Sequence, residues 1–271
     1  MAETEIELFK KGISKLKKGK FLEAIKVFDD LILSHNQKIS VICNNNFNFS
    51  EWEFINEISS CEKKIKKAKL DFNGLLALSL LFKIVGNNDR RISYIREAIK
   101  QNSFSSRLWK EYGETAFQLG DINLALQHFQ EAVNLNPKDD FSLEAIGLCY
   151  YYLDEPVKAI HPLEKALALD SNNHSIMNHL AFVYSEIGEL DKAHELILKA
   201  IKLDESNNNY LDTYATILFL EEEYDQSLKV FEKILNNNPK DDEVSWDILS
   251  NLYSIMGLHA KAKKIEEKII L

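Results

Sequence analysis

The sequence has little that breaks a helix: nine glycines and four prolines in 271 residues. With 45% hydrophobic residues, that scarcity excludes a linker or a disordered chain and favours a folded, mostly helical one. Cysteine is scarcer still. Cys43, Cys61 and Cys149 are odd in number and far apart, which excludes a disulfide framework and fits a reducing compartment. No stretch approaches the roughly 18 uninterrupted apolar residues of a membrane span, and Met1 to Lys10 lacks an apolar signal core. A cytoplasmic protein is expected. Excess positive charge is also missing: Lys and Arg number 33 against 42 Asp and Glu, a net charge of −9. Phosphate backbones need a concentrated basic surface, so no nucleic-acid partner is expected.

The residues of catalysis are present without their spacing. No CxxC, HExxH or glycine-rich phosphate loop occurs. His174 and His179 are five apart and fall on different faces of a helix, and Cys149 has no partner base in view. Packing or surface roles account for them, so no active site, metal or cofactor is expected. Lys63, Lys64, Lys66, Lys67 and Lys69 form the one basic cluster, and a solvated helix face explains it.

What is present is a period. Steps of 34 residues land on Ser79, Gly113, Gly147, Ala181 and Ala215, on Ala125, Ala159, Ala193 and Ser227, and on Ala98, Ala132, Ala166 and Ala200. A fourth register is large and apolar: Trp109, Leu143, Met177, Leu211. Nothing in a single core demands such regularity, whereas stacked helix pairs do. Trp109, Tyr112, Gly113, Ala116 and Phe117 follow the i, i+3, i+4 spacing of an amphipathic helix. Gly120 closes that helix, as Gly86, Gly188 and Gly257 close theirs, where positive φ is needed. Asp121 and Asp191 stand near the start of second helices, as N-terminal acceptors would.

Trp109, Tyr112, Gly113, Ala125, Phe129, Ala132 and Pro137 resemble the tetratricopeptide repeat, whose pattern is W-x2-L-G-x2-Y, then A-x3-F, then P. The next units repeat it with Leu143, Gly147, Tyr150 and Ala159, and with Met177, Ala181, Tyr184 and Ala193. The resemblance implies an all-α fold, a right-handed α-solenoid of antiparallel helix pairs. It covers 72–271 well, in units near 72–105, 106–139, 140–173, 174–207, 208–242 and 243–271. Residues 1–38 read as a helix pair with Leu8, Gly12, Gly19, Ala24 and Phe28 in place. Residues 39–71 read as a degenerate unit or insertion, with the run Asn44-Asn45-Asn46 and a capping box at Ser50-Glu51-Trp52-Glu53. Pro162, inside a second helix, is expected to bend it.

In this family the first helices of successive units line a concave groove that holds ligands. Carried onto this sequence, the groove positions are Arg107, Lys110, Glu114 and Phe117, then Glu144, Leu148, Tyr151 and Tyr152. The third unit supplies Asn178, His179, Phe182 and Glu186, the fourth Asp212, Thr216 and Phe219, and the last Asp247 and Asn251. The implied function is a non-catalytic adaptor for a peptide or protein segment. Its acidic and aromatic lining favours a partner with Lys, Arg and apolar residues. Phe117, Tyr151 and Phe182 also suit packing between neighbouring first helices. Repeats that grip the carboxylate tails of heat-shock chaperones need cations and asparagines where this sequence has Glu114, Ala145, Ser175 and His179, so such tails are not expected to bind. The alternative function is self-assembly: the last unit, 243–271, offers Trp246, Leu249, Tyr253, Ala262 and Ile269-Ile270-Leu271 as an uncapped apolar end.

Overall fold

A computed structural model describes residues 5–34, 51–66, 71–237 and 239–269. Among these residues the regular structure is fifteen α-helices and a short 3-10 turn, with no strand. The described chain is all-α, built from tandem helix pairs. Two compact units divide it, residues 1–149 and 150–271.

In the first unit α1 (Glu5–Lys17) pairs with α2 (Phe21–Ser34), and α3 (Glu51–Lys66) packs on α1. Then follow α4 (Phe72–Ile84), α5 (Asn88–Gln101), α6 (Ser106–Gln118), α7 (Ile122–Leu135) and α8 (Asp140–Tyr152), the last running into the second unit. That unit continues with α9 (Pro156–Leu169), α10 (His174–Glu186), α11 (Leu190–Leu203), α12 (Asn208–Leu220), α13 (Tyr224–Asn236), α14 (Trp246–Ile255) and α15 (His259–Ile269). First helices begin at 72, 106, 140, 174 and 208, and second helices at 88, 122, 156, 190 and 224, so both sets keep the 34-residue step. The step fails at α14, where the 3-10 turn Asp241–Glu243 intervenes.

Local chemistry sets these boundaries. Asp71, Asn87, Asp121, Asn173 and Asn207 each accept a hydrogen bond from an amide of the first turn they precede, which satisfies an otherwise orphaned donor. Asp191 instead lies within the first turn of α11, behind Glu189, and helps through its charge alone. Each first helix of 72–257 ends where one residue turns left-handed. Gly86, Gly120, Gly188 and Gly257 do so at φ between 73° and 80°. Asp154 and Glu222 occupy the matching positions at φ 60° and 63° without the freedom of glycine.

Small residues let the pairs close. Ser227 Oγ on α13 donates to the Ala215 carbonyl on α12 at 2.7 Å, a contact that large side chains at the crossing would prevent. The ring pressing on Gly113 belongs to Phe129: a Cβ added there would lie 2.8 Å from it. Trp109 is half-buried, its indole N–H donating to the Ser103 carbonyl at 2.8 Å, while Leu108 beside it is the fully buried residue. α9 runs through Pro162 without interruption.

One core in the first unit joins Phe9, Ile13, Phe28 and Leu31 to Ile58 and Cys61 of α3 and to Leu78, Leu81 and Phe82 of α4. α2 packs directly on α4. In the second unit α10 lies against α12 and α12 against α14, with second helices packed beside them. Part of the apolar stretch expected to drive self-assembly is used inside the fold. Leu249, Tyr253 and Ala262 are buried in the last core, and Trp246 is half-buried. Among the described residues of α15, His259, Ala260, Lys261, Lys263, Lys264, Glu266 and Glu267 are exposed, so that face is mostly polar. Cys43, Asn44–Asn46, Ser50, Lys67, Lys69, Ile270 and Leu271 lie outside the described residues, as do the side chains of Trp52, Glu53, Lys64, Lys66 and Ile269.

Candidate functional site

The first unit engages most of its predicted ligand positions internally. Arg107 pairs with Asp29 of α2 at 2.5 Å. Lys110 sits 3.5 Å from Asp139 with its ammonium over the Phe141 ring. Glu114 is buried and held by Lys83 at 2.5 Å and Arg91 at 3.0 Å. Phe117 and Glu144 are buried, and Leu148 is half-buried. The acidic charge expected to face a ligand at Glu114 is therefore matched within the fold. Nothing in the motif pointed to Arg91 and Lys83, yet a step of 34 back from Ala125 lands on Arg91.

The same unit accounts for one histidine. His128 stacks on Tyr112, ring centres 4.0 Å apart, with Trp109 at 5.4 Å. Burial lowers its pKa, with the Arg96 charge adding to the effect, so the imidazole serves as a neutral aromatic. Cys61 and Cys149 are buried free thiols, and burial pushes the Cys149 thiol up to about 12. That is inert chemistry at neutral pH. Among the described residues no group of three His, Cys, Asp or Glu side chains could hold a metal.

The second unit is different. Tyr151, at the end of α8, meets Phe182 edge-on with centres 5.2 Å apart and Tyr152 at 5.5 Å. Packing between first helices thus explains Tyr151 and Phe182, while Tyr152 is 56% exposed. His179 is half-buried; His174, two turns from the aromatic pair, lies 2.6 Å from the Tyr210 hydroxyl. Phe219 packs against Tyr224, and Glu186, Asp247 and Asn251 are exposed. Asp212 receives the Ser245 amide and hydroxyl, each at 2.7 Å, tying α12 to the start of α14.

Two predicted residues stand apart. Asn178 on α10 and Thr216 on α12 are 8% and 5% exposed. Asn178 Oδ1 and Thr216 Oγ1 are buried without a hydrogen-bond partner. Buried polar atoms are nearly always paired, so an orphan invites a functional explanation. By helical position they share a face with Phe182 and Asp212, four residues from each in turn.

Residues 106–139 and 163–195 match models of the tetratricopeptide repeat. The helix pairs and their 34-residue step agree with this. The chain carries tetratricopeptide repeats. Solved structures of tetratricopeptide proteins agree in fold. MamA from Desulfovibrio magneticus superposes with a TM-score of 0.58 at 18% identity, over 61% of this chain and 93% of that one. A tetratricopeptide protein from Parabacteroides merdae gives 0.64 at 20% identity, over 73% and 78%. YrrB, described as having an unusual peptide-binding site, gives 0.57 at 16%, over 67% and 94%. A search of curated proteins gives no match. Tetratricopeptide folds generally serve protein–protein contact, and among the described residues no helix is long and apolar enough to cross a membrane.

Proposed function

We propose that this tetratricopeptide protein is a non-catalytic adaptor, and that its second unit binds a peptide or protein segment across the shared face of α10, α12 and α14. The orphaned Asn178 and Thr216 oxygens carry the reading. Each lacks a donor within the described chain, which a peptide amide reaching this face would supply, and leaving them unmet costs about 1–3 kcal/mol each. Tyr152 adds exposed aromatic area close by, and aromatic side chains on helices give contact at low entropic cost. Asp212 and Asp247 lend the face a negative sign, which favours segments carrying Lys or Arg beside apolar residues. The carboxylate tails that some family members hold would be repelled.

Selection of peptides from a random library on the intact chain tests this reading. Recovered sequences should combine basic and apolar residues. Asn178→Ala and Tyr152→Ala should weaken their binding at least tenfold while far-ultraviolet circular dichroism and melting stay unchanged. Equal loss of binding and folding would remove the proposal.

A further inference from the structure

Asp212 is held in place before any partner arrives. Each of its oxygens takes one hydrogen bond from Ser245, from the amide and from the hydroxyl. An ionised carboxylate has about four lone-pair sites, so two remain for further donors. No cation fills them: among the described residues neither Asp212 nor Asp247 has a lysine or arginine paired with it. One turn further along α12 lies the orphaned Thr216 oxygen, and on the adjacent α10 the orphaned Asn178 oxygen. The titratable groups on the neighbouring elements include Asp247 on α14 and Asp241, Asp242 and Glu243 in the 3-10 turn, where Glu243 takes the Asn208 amide. The lysines of α11 and α13 lie on the second helices packed beside α12. On α10 stand His174, His179 and Glu186. Of these, His174 is engaged with the Tyr210 hydroxyl. The remaining sites of the Asp212 carboxylate and the Asn178 and Thr216 oxygens give this face acceptors without partners. A guanidinium, with five N–H donors in a fixed fork, is the natural complement.

Resting on the binding surface proposed above, we infer that Asp212 is where this surface reads a basic side chain of its partner, and that seating the cation expels a proton from the carboxyl, so that binding tightens as pH rises. The cation pairs with the ionised carboxylate, and the proton passes to solvent. Burial supports the coupling: it pushes Asp212 up to about 6, against the lowering effect of the Ser245 hydrogen bonds, with Asp247 adding to the rise. A carboxyl that is half-protonated near pH 6 loses about tenfold in affinity for a cation between pH 7 and pH 5.

Two peptides test this on the intact chain: acetyl-Ala-Phe-Arg-Phe-Ala-amide and its twin with uncharged citrulline in place of arginine. Isothermal titration at pH 5, 6 and 7, in two buffers of different ionisation heat, reads affinity and proton release together. The arginine peptide should bind about tenfold tighter at pH 7 than at pH 5, releasing a fraction of a proton near pH 6. Asp212→Asn should abolish both the release and the pH dependence, and the citrulline twin should bind weakly at every pH. Equal binding of the twins, or an unchanged pH profile in Asp212→Asn, overturns the assignment to Asp212 and leaves the binding surface standing. Absence of binding by either peptide at millimolar concentration overturns both. Proton uptake in place of release overturns the coupling.

Discussion

Arg91 Nη2 lies 2.6 Å from Glu111 Oε2 in the interior of the first unit, where the corresponding positions of later repeats hold Ala125, Ala159 and Ala193. The arginine is fully buried. It also donates to the Glu111 carbonyl at 3.2 Å and to Glu114 at 3.0 Å, and Lys83 completes a set of two cations and two anions. Burial alone would raise the Glu111 pKa. The Lys83 and Arg91 charges, with Arg107 beyond them, outweigh it and hold the group below the usual carboxylate range.

Removing one member of such a set leaves the others buried and unmatched, which costs about 3–5 kcal/mol. Arg91→Ala should therefore lower stability in urea by that amount, with the damage centred on α4 to α6. Glu111 has a depressed pKa in the fold, so its stabilising contribution is present above its unfolded value near 4.5. It is lost as pH falls through the lower folded value. Wild type should weaken on acidification below about pH 4.5, and Arg91→Ala should show a shallower decline. A loss under 1 kcal/mol at neutral pH would contradict this account.

The repeat was legible because its signals are local. Helix ends follow from glycine, asparagine and aspartate within a few residues, and the 34-residue step counts them out. Partners across the chain leave no such trace. Asp29 meets Arg107 over 78 residues and Lys83 meets Glu114 over 31, so position within the motif gave the face of Arg107 and Glu114 but not what occupies it. Arg91 broke the small-residue register, yet its partners lie on the next helix pair. Asn178 and Thr216 were placed by the resemblance, whereas their lack of partners needs coordinates. The apolar residues of 243–271 were legible as a stripe, but not the direction in which the stripe faces.

Glu222 holds the left-handed position that glycine fills at 86, 120 and 188. A non-glycine residue there costs roughly 1–2 kcal/mol, and the entropy glycine adds to the unfolded chain returns about 0.4–1 kcal/mol of any gain. Glu222→Gly should raise stability by about 0.5–1 kcal/mol in chemical denaturation. Asp154→Gly should gain less, because aspartate tolerates this conformation through local hydrogen bonds. A greater gain at Asp154 would contradict the backbone argument.

Gly12 and Gly113 stand at matching places in their helix pairs, each under a phenylalanine ring. A Cβ at Gly113 would approach Phe129 to 2.8 Å, and one at Gly12 would approach Phe28 closer still. Gly113→Ala should cost about 1–3 kcal/mol as the ring shifts, and Gly12→Ala should cost more. Denaturation midpoints compare the two directly, and the reverse order would show that α1 and α2 separate more readily than their packing indicates.

Asp212 gives the second unit a pH response opposite in sign to that of Glu111. Its folded pKa of about 6 lies above the ordinary 3.8, so the fold favours the protonated carboxyl. The contribution is fully present below about pH 4 and is lost as pH rises through 6, on the order of 3 kcal/mol across that range. Asp212→Asn keeps an oxygen to accept from Ser245 but carries no charge to desolvate. The variant should be more stable than wild type at pH 7, by up to about 3 kcal/mol, and the difference should shrink steadily toward pH 4. Urea midpoints at four pH values measure both effects. A variant less stable at pH 7 would mean that the Ser245 hydrogen bonds need the ionised carboxylate and outweigh its desolvation.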